Sequence, residues 1–550
     1  MRGRFLKYSN WNIINKFPDD IVGSILGSRG IKAGDEFLET KYESLCDPFL
    51  FNGMLKAVRR TKKAIADREK VGLFMDYDAD GICGGAIVYK SLCPHTKVEY
   101  YIPHRREGYG LSCHAIDVLH KSGCKLILTV DCGIRNNTEI DYANTLKIDV
   151  IVLDHHELPE IMPNTYATIH PKTSKKLKFK DYSGGGVAYN FVRALDISSG
   201  REKWDAELAA ISTVADMVPL VGDNRILVKF GLIVLNKTRN WGLDELIKIA
   251  GLRKGEIGTY EIGFQIAPRI NATGRVEDPV SSFKLLTETD REEIKILGEK
   301  LNHLNSQRQA ILERCLKEAE QIIKQQNKDK DKIIIIKSDN FSEGVIGLVA
   351  GKVADKYYRP SIVFTKHDGF YKGSARSIPG VDITNVISLV KDEIITFGGH
   401  PGAAGLSVLE EKFNSFCRKI QRQGECIDKT LFSRKLDIDA LIKSEQVDLK
   451  LAKTVNRLEP FGFKNKRPIF AIEELRVYAV KKIGKNMDHL KISLCKESIR
   501  HDCVAFSAVK NGWELSRDDL VDVAFSLNIN RWNNREKIDL IIEDIKNHDK

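Results

Sequence analysis

Four short apolar runs alternate with helix-like stretches in the first third of the chain. They cover Val71–Met75, Val98–Ile102, Leu126–Val130 and Asp149–Asp154. Runs this short, separated by helical patterns, are typical of βαβ units, whose parallel strands are buried on both faces. The pattern therefore predicts an α/β domain built on a parallel sheet.

Acidic residues stand directly after these runs or at their ends, at Asp76, Asp131 and Asp154. Two histidines, His155 and His156, follow the last of them. The carboxyl ends of parallel strands meet at one edge of a sheet, where α/β proteins bind their ligands. We therefore expect these side chains to converge. The same edge is expected to hold three more acidic residues, the last of them after a further strand: Asp78, Asp80 and Asp216.

Carboxylates and neutral imidazoles gathered at one point form a cage for divalent metal ions. Two such ions about 3.5–4 Å apart can activate water and compensate charge during phosphoester hydrolysis. Mixed oxygen and nitrogen ligands favour Mn²⁺, with Mg²⁺ as a common substitute. Each residue alone has another interpretation, because aspartates after strands also cap helices and form turns. The set as a whole predicts a two-metal phosphoester hydrolase.

The second half of the chain predicts two more structural units, preceded by a long helix. A capping pair, Asp290 and Glu293, opens a stretch whose apolar residues recur at helical spacing. The run Ile333–Lys337 begins a second α/β unit. Alternating segments near the C-terminus, with Asn533 and Asn534 as turn residues, predict the antiparallel strands of a small barrel.

The expected domain boundaries follow from these patterns, because 550 residues exceed what one hydrophobic core holds. The predicted parts are a helical N-terminal lead-in (1–66), a catalytic domain (67–287), a connecting helix and linker (288–330), a substrate-binding α/β domain (331–445) and a barrel (455–550).

Composition narrows the class of protein further. No apolar run is long enough to span a membrane, and the N-terminus lacks the features of a signal peptide. The 11 cysteines form no CxxC pair, which favours the reducing cytoplasm. The net charge of +11 indicates a polyanionic partner, although a basic balance is a weak signal.

The ordered motifs of the chain resemble those of a known family. DYDADG, VDCG, DHH and VADMVPLVGDNR are similar to the motifs of the DHH phosphoesterase superfamily. EGYGLS, APRINATGR, GSARSIPG, FGGHPGAAG and LEPFGFKN resemble its RecJ branch of single-stranded-DNA exonucleases. The resemblance implies a DHH domain and a DHHA1 domain joined by the long helix, followed by an OB-fold barrel.

The resemblance also implies roles for the acidic and histidine residues. Asp131 would bridge two ions, His156 would contact the scissile phosphate and steady the leaving oxygen, and Asp154 would orient the imidazoles. Where some relatives carry a histidine, this chain has Phe74, and Asp76 is a candidate to replace that histidine as a metal ligand. The implied metal ligands are Asp78, Asp80, Asp131, His155 and Asp216, with Asp76 as a further candidate.

Contacts to nucleic acid are implied in two parts of the chain. Ser374 and Arg376, with Arg105, would hold a 5′-terminal phosphate, and His400 would approach the scissile region. Glycine-rich segments and arginine suit an anion, although tight turns with a solvated arginine are the alternative. Residues Arg269, Asn271 and Arg275 are further candidates, with hydrogen bonding of a buried loop as the alternative. Contact candidates on the barrel are Lys481, Lys482, Lys485, His489, Lys491 and Trp532, with a solvated face as the alternative and, for Trp532, a cross-strand pair in a hairpin.

These implications predict an exonuclease that degrades single-stranded DNA from 5′ to 3′ and releases 5′-mononucleotides in DNA repair and recombination. Its expected cofactors are two Mn²⁺ or Mg²⁺ ions. Its expected partners are a single strand with a 5′ end, a single-strand-binding protein and a helicase, and the chain is expected to be monomeric. Two alternatives stay open: a phosphodiesterase of short oligonucleotides or cyclic dinucleotides, and an inactive DNA-binding scaffold for replication.

Overall fold

The computed structural model describes Tyr8 and residues 10–31, 37–532 and 535–548. Its contacts divide the chain into two compact units. One unit consists of residues 40–310 and 460–466, and the other combines the described residues before Thr40 with 311–459 and 467–548. None of the helices in the described ranges is both long and apolar enough to cross a bilayer.

The N-terminal segment begins with a strand rather than a helix. Strand β1 (Asn10–Lys16) alternates between exposed and half-buried positions. Trp11 and Ile13 pack against a small core around Ile438. The predicted helical lead-in is therefore wrong for these residues, because their apolar side chains recur at every second position, as in a strand. Helices follow at Ile21–Ser28 and Met54–Ala66.

A five-stranded parallel sheet forms the centre of the 40–310 unit, as predicted. Its order is β3-β2-β4-β5-β6. The strands are β2 (Lys70–Met75), β3 (Val98–Tyr101), β4 (Cys124–Val130), β5 (Asp149–Leu153) and β6 (Ala167–Ile169). Separate cores cover the two faces of this sheet, one containing Leu73 and the other Phe74. Neighbouring residues of β2 thus enter opposite cores, which explains the continuous apolar run.

Helices of the same unit pack against the sheet and contribute buried residues to its cores. They are Ala79–Leu92, Cys113–Lys121, Asn137–Thr145, Gly184–Leu195, Glu202–Ala215, Gly222–Leu235, Trp241–Ile249, Ala267–Val276 and Val280–Thr287. A π-helical turn, Ile262–Ile266, leads into the helix Ala267–Val276.

The predicted long helix spans Arg291–Gln325. Its N-cap is Asp290, whose carboxylate accepts hydrogen bonds from the backbone N–H groups of Glu292 (2.9 Å) and Glu293 (3.0 Å). The apolar positions predicted for its packed face include Leu301 and Cys315, both of which are buried.

The second α/β domain is built on a five-stranded sheet of order β10-β11-β9-β8-β7. Strands β7 and β8 are parallel, and the other neighbours are antiparallel. The strands are β7 (Ile334–Lys337), β8 (Ser361–His367), β9 (Phe370–Arg376), β10 (Thr396–His400) and β11 (Ala403–Leu409). Its helices are Ile346–Tyr357, Ile383–Ser388 and Phe413–Glu425.

The C-terminal strands close into the predicted barrel. After β12 (Lys435–Leu441) and the helix Leu449–Asn456, they are β13 (Phe470–Ile483), β14 (His489–Lys496), β15 (Ile499–Ala505), β16 (Leu520–Trp532) and β17 (Arg535–Asn547). The order β13-β14-β15-β17-β16 closes because β16 also pairs with β13. Strand β12 pairs in parallel with both β1 and β13. The predicted turn residues Asn533 and Asn534, and the side chain of Trp532, lie outside the described parts of the chain.

Candidate metal centre

The ends of three parallel strands bring the predicted acidic residues to one edge of the sheet. Asp76, Asp131 and Asp154 directly follow β2, β4 and β5. Asp216 does not follow a strand, contrary to the prediction. It lies at the C-terminus of the helix Glu202–Ala215, because the apolar residues before it are alanine-rich and spaced for a helix.

Asp78 and Asp80 occupy the start of the helix Ala79–Leu92. Asp78 is the N-cap and accepts hydrogen bonds from the N–H groups of Asp80 (2.9 Å) and Gly81 (3.2 Å), so the capping interpretation holds for one of its oxygens. Asp80 is only 2% exposed. Its two oxygens accept from the N–H groups of Gly184 (2.8 Å) and Gly185 (2.7 Å), and the Ser212 hydroxyl also donates to it.

Glycine at position 184 leaves room for the acidic cluster. A Cβ atom there would lie 2.6 Å from the Oδ1 atom of Asp131. Asp131 itself adopts a left-handed backbone conformation with φ of 62°. Such a conformation is costly for a residue with a side chain and is concentrated at functional sites. The backbone is held there by a hydrogen bond from the Asp131 N–H to the Leu153 carbonyl (2.9 Å).

Both histidines lie beside Asp131. The Nε2 atom of His155 is 3.1 Å from the Asp131 carboxylate, 3.6 Å from Asp80 and 3.7 Å from Asp216. The Nδ1 atom of His156 is 3.8 Å from the Asp131 carboxylate. Strand β5 ends at Leu153, so the two histidines do not alternate between the faces of the sheet as they would in a strand.

Asp154 fixes the histidine loop. Its carboxylate accepts hydrogen bonds from three backbone N–H groups, those of Ile134 (3.0 Å), His155 (2.7 Å) and His156 (3.1 Å), and lies 2.7 Å from His156 Nδ1. Burial opposes its ionisation, but the interactions with His156 hold the pKa of Asp154 below its usual range. The buried His170 adds a second support, since its Nε2 atom is 2.8 Å from the His156 carbonyl oxygen.

Three buried polar atoms at this edge take part in no hydrogen bond: Asp76 Oδ1, Asp131 Oδ1 and His155 Nε2, of which the last two lie 3.1 Å apart without hydrogen-bond geometry. Buried polar atoms are rarely left unpaired, so the site is built for a group that they can bind. Potential ligand atoms lie within 4.8 Å of one another in three sets: Asp131, His155 and His156; Asp80, His155 and Asp216; and Asp76, Asp78 and Asp131. Asp131 and His155 each belong to two sets. These oxygen and nitrogen donors fit a pair of Mn²⁺ or Mg²⁺ ions.

The electrostatics also favour bound cations. Burial, followed by the neighbouring carboxylates, raises the pKa values of Asp76, Asp78, Asp131 and Asp216. The four carboxyl groups cannot easily ionise together without a counter-charge. Divalent cations supply that charge, so the cluster favours their binding.

Phe74 lies away from the acidic cluster. It is fully buried and stacks on Tyr101 with ring centroids 6.0 Å apart. Asp76, in contrast, has ligand atoms grouped with those of Asp78 and Asp131. Asp76 therefore lies among the candidate metal ligands, whereas Phe74 belongs to the core on one face of the sheet.

The APRINATGR motif lies beside the first acidic loop. The Asn271 side chain accepts a hydrogen bond from the Ala79 N–H group (2.8 Å). It thus supports the loop after β2, which is the hydrogen-bonding role given above as the alternative to a DNA contact. Arg269 donates to the Gln265 carbonyl (2.7 Å) and to Asn302 (3.1 Å). Burial, followed by the charges of Arg105 and Arg308, lowers the pKa of Arg275 to about 10.

Ser374 and Arg376 share one face of β9, because they are two residues apart. A Cβ atom on Gly347, in the first turn of the helix Ile346–Tyr357, would lie 3.0 Å from the Arg376 guanidinium and 3.1 Å from the Ser374 hydroxyl. Burial, followed by the charge of Arg376, lowers the pKa of His400 and favours its neutral imidazole. A hydroxyl, a guanidinium and a helix N-terminus together suit a phosphate group.

Sequence models of three protein families match the chain in order. The DHH family, N-terminal domain, matches residues 70–218, the DHHA1 domain matches 330–424, and the RecJ OB domain matches 438–544. The single-stranded-DNA-specific exonuclease RecJ of Bacillus subtilis (strain 168) is 36% identical over 95% of this chain and 67% of the relative. The protein of the same description from Dickeya dadantii (strain 3937) is 30% identical over 96% of both chains. The chain belongs to the RecJ family.

Solved RecJ structures share this architecture. RecJ in complex with Mn²⁺ from Thermus thermophilus is 26% identical and superposes with a TM-score of 0.83, covering 98% of this chain and 80% of that one. The same protein has been solved in complex with Mg²⁺ (TM-score 0.78, 25% identity, covering 98% of this chain and 79% of that one). These structures confirm the RecJ fold class, and the ions that they hold match the donor set of this RecJ-family chain.

Sequence reasoning missed three side chains of the RecJ site. The Tyr109 hydroxyl donates to the Asp131 carbonyl (3.0 Å) and lies 3.2 Å from His156 Nε2. Ser212 reaches Asp80 from a distant helix. Arg308, on the long helix, interacts with the charges of Arg269 and Arg275 on the helix Ala267–Val276, and burial lowers the pKa of Arg308. Tyr109 stands within the EGYGLS motif, which could have revealed it, whereas Ser212 and Arg308 have no comparable signal.

Proposed function

We propose that this RecJ-family chain degrades single-stranded DNA from its 5′ end by metal-dependent phosphodiester hydrolysis and releases 5′-mononucleotides. The observation that carries the proposal is the convergence of three sets of ligand atoms on Asp131 and His155, whose buried atoms lack other partners. Relatives 36% and 30% identical to this chain are single-stranded-DNA-specific exonucleases. We further propose a role in DNA repair and recombination.

Divalent ions at this site would supply the positive charge that activates water and offsets charge on the phosphate. The residues that would hold them are Asp78, Asp80, Asp131, His155 and Asp216. Asp76 would be a further ligand beside Asp78 and Asp131. Burial lowers the proton affinity of His156, but the contact with Asp154 outweighs it and raises the pKa of His156. A protonated His156 would stabilise the leaving 3′ oxygen, and Asp154 would keep its ring in position.

The 5′-terminal phosphate would be held by Ser374, Arg376 and the N-terminus of the helix Ile346–Tyr357. We propose that Arg105 and His400 also contact the strand. An anchored 5′ end would set which phosphodiester bond reaches the metal ions, and repeated cleavage would make the enzyme an exonuclease.

Replacing Arg376 with Gln tests the anchor. We expect KM to rise about tenfold or more for a strand with a 5′ phosphate, because a charge-assisted hydrogen bond contributes about 1.5–3 kcal/mol. The KM for a strand with a 5′ hydroxyl should change little. Lys352→Gln is the matched control, since it removes a charge from an exposed position on the neighbouring helix. Equal losses on both strands would show that Arg376 does not bind the terminal phosphate.

Product analysis tests the direction and substrate of hydrolysis. A 5′-labelled single strand should release its label as the mononucleotide from the first turnover, only when Mn²⁺ or Mg²⁺ is present, and a blunt duplex should resist. Release of the label in longer fragments, or faster turnover of a dinucleotide than of a long strand, would favour a phosphodiesterase instead. The complete ligand set weighs against an inactive scaffold.

We also propose which proteins act together with this enzyme and where in the cell it acts. A single-strand-binding protein would clear secondary structure from the substrate, and a helicase would supply unwound 5′ ends. We propose that the chain acts as a monomer in the cytoplasm, where its 11 cysteines would stay reduced.

A further inference from the structure

Ser212 is a buried side chain that reaches one of the predicted metal ligands from a distant part of the chain. It lies on the helix Glu202–Ala215 and is fully buried. A hydroxyl within a helix can bond to the carbonyl four residues earlier, as that of Thr213 does with Ala209 (2.6 Å). The Ser212 hydroxyl is instead hydrogen-bonded to Asp80 Oδ1. Ser212 therefore belongs to the metal centre by its contacts, although it is not one of the candidate ligands.

The chemistry of the groups fixes the direction of these hydrogen bonds. An ionised carboxylate only accepts, so the single proton of the Ser212 hydroxyl is donated to Asp80. The Ser212 oxygen is also 2.7 Å from the Ser183 oxygen, and it must therefore accept from Ser183. Ser183 in turn accepts from the Gly186 N–H group (3.1 Å) as the N-cap of a helix. A chain of hydrogen bonds thus ends on Asp80, and its members polarise and strengthen one another.

The protein occupies most of the accepting positions of Asp80. Oδ1 accepts from the Gly185 N–H group (2.7 Å) and from Ser212, and Oδ2 accepts from the Gly184 N–H group (2.8 Å). Each carboxylate oxygen has two lone pairs, so Oδ1 is fully used and one position remains on Oδ2. That oxygen lies 3.6 Å from His155 Nε2. Asp80 can thus offer one oxygen to an ion that it would share with His155.

The packing of two helices holds Ser212 against Asp80. A Cβ atom at Gly185 would overlap the Ser212 hydroxyl, so glycine leaves the space for this contact. Asp80 lies in the first turn of its helix, and Ser212 lies in the last turn of its own. At the opposite ends of the same two helices, Lys90 Nζ is 2.6 Å from Asp205 Oδ1. The helices are therefore antiparallel and are tied at both ends, which limits the movement of Ser212.

We propose that Ser212 is a positioning residue for metal binding, which holds the Asp80 carboxylate with one oxygen directed at the ion shared with His155. This inference rests on the proposed function, because it concerns one of the two ions. Hydrogen-bonded partners orient metal ligands, and loss of one lowers metal affinity about 10–100-fold. Asp80 belongs to only one of the three sets of ligand atoms, so only one of the two ions should be affected.

Titration of the metal-free protein with Mn²⁺, followed by isothermal titration calorimetry, tests this inference. Ser212→Ala should lower the affinity for one ion about 10–100-fold and leave that for the other nearly unchanged. The Mn²⁺ concentration that gives half the maximal rate should rise by a similar factor. The kcat at saturating Mn²⁺ and the KM for the single strand should stay near wild type, since excess metal refills the site. Ser212→Cys, which keeps a similar shape but donates weakly, should show a smaller loss in the same direction.

Ser91→Ala is the matched control. Ser91 is also buried, at 3% exposed, and lies at the far end of the helix that carries Asp80 in its first turn. This variant should bind both ions as wild type does. Unchanged Mn²⁺ affinity in both Ser212 variants would overturn the inference. An equal loss for both ions, or a fall in kcat that saturating Mn²⁺ does not restore, would overturn it as well, because either result indicates a general structural effect.

Failure of the proposed function would give a different result, because wild type itself would then take up no Mn²⁺ or degrade no single strand. Urea unfolding of the metal-free protein tests the contact separately in that case. The measurement compares Ser212→Ala, Asp80→Asn and the double variant. Non-additive changes in stability would show that Ser212 acts through Asp80, whereas additive changes would overturn the inference.

Discussion

Replacing Asp131 with Asn should lower kcat about a thousandfold, comparable to the loss of one preorganised charge-stabilising group. Asp131 belongs to two of the three sets of ligand atoms, and its Oδ1 atom is buried without a hydrogen-bond partner. An amide keeps the shape of the carboxylate but removes the charge that both ions would share. The initial rate on a 5′-labelled single strand, at saturating Mn²⁺, measures the loss.

Two measurements make this result specific to the metal centre. Binding of the oligonucleotide, followed by fluorescence anisotropy without turnover, should change less than threefold, roughly 0.6 kcal/mol. Asp141→Asn, an exposed position on the helix Asn137–Thr145, is the matched control and should retain full activity. A fully active Asp131→Asn enzyme would contradict the proposed site.

Adding Mn²⁺ to the metal-free protein should raise its Tm, and the rise should be larger at about pH 8 than at about pH 5. Burial raises the pKa values of Asp76, Asp78, Asp131 and Asp216, so the folded state holds more protons than the unfolded state. Without metal, stability is therefore lost as the pH rises from the ordinary carboxyl pKa through the raised folded values. Bound ions take the place of these protons.

The expected size of the shift follows from binding linkage. An Mn²⁺ concentration a hundredfold above Kd contributes about 2.7 kcal/mol, or about 5–10 °C in Tm for a domain of this size. Differential scanning fluorimetry at both pH values, with EDTA and with Mn²⁺, measures it. Asp131→Asn should raise the Tm of the metal-free protein and reduce the gain from Mn²⁺. The same gain at both pH values would argue against a carboxylate cage.

Hydrophobic patterning predicted the elements of the first α/β domain. Short apolar runs between helical stretches, such as Leu126–Val130, indicated buried strands, and the acidic residues after them were expected to meet at one edge of the sheet, as they do. Asp216 was placed after a strand because its neighbours are apolar, yet it ends a helix. Strand β1 was missed because its few apolar residues lie in a polar segment and pair with residues far along the chain.

The supporting contacts of the site could not be predicted from the sequence. Asp80 is held by the backbone of Gly184 and Gly185, more than a hundred residues away. Asn271 was predicted either to contact the substrate or to support a buried loop; it accepts a hydrogen bond from the loop after β2, and the contact with the substrate stays a prediction. Spacing along a chain identifies which groups can do chemistry, whereas their partners are fixed only when distant segments pack together.

The pairing of β1 with β12 has a consequence during synthesis of the protein. The side chains of Asn12 and Asp437, which are hydrogen-bonded in this pair, are separated by 425 positions in the chain. At a translation rate of about 5–20 residues per second, the N-terminal strand would wait about 20–85 s for its partner. During this time β1 would have left the ribosome without its partner β12, although the residues of the nuclease domain would already be available to fold.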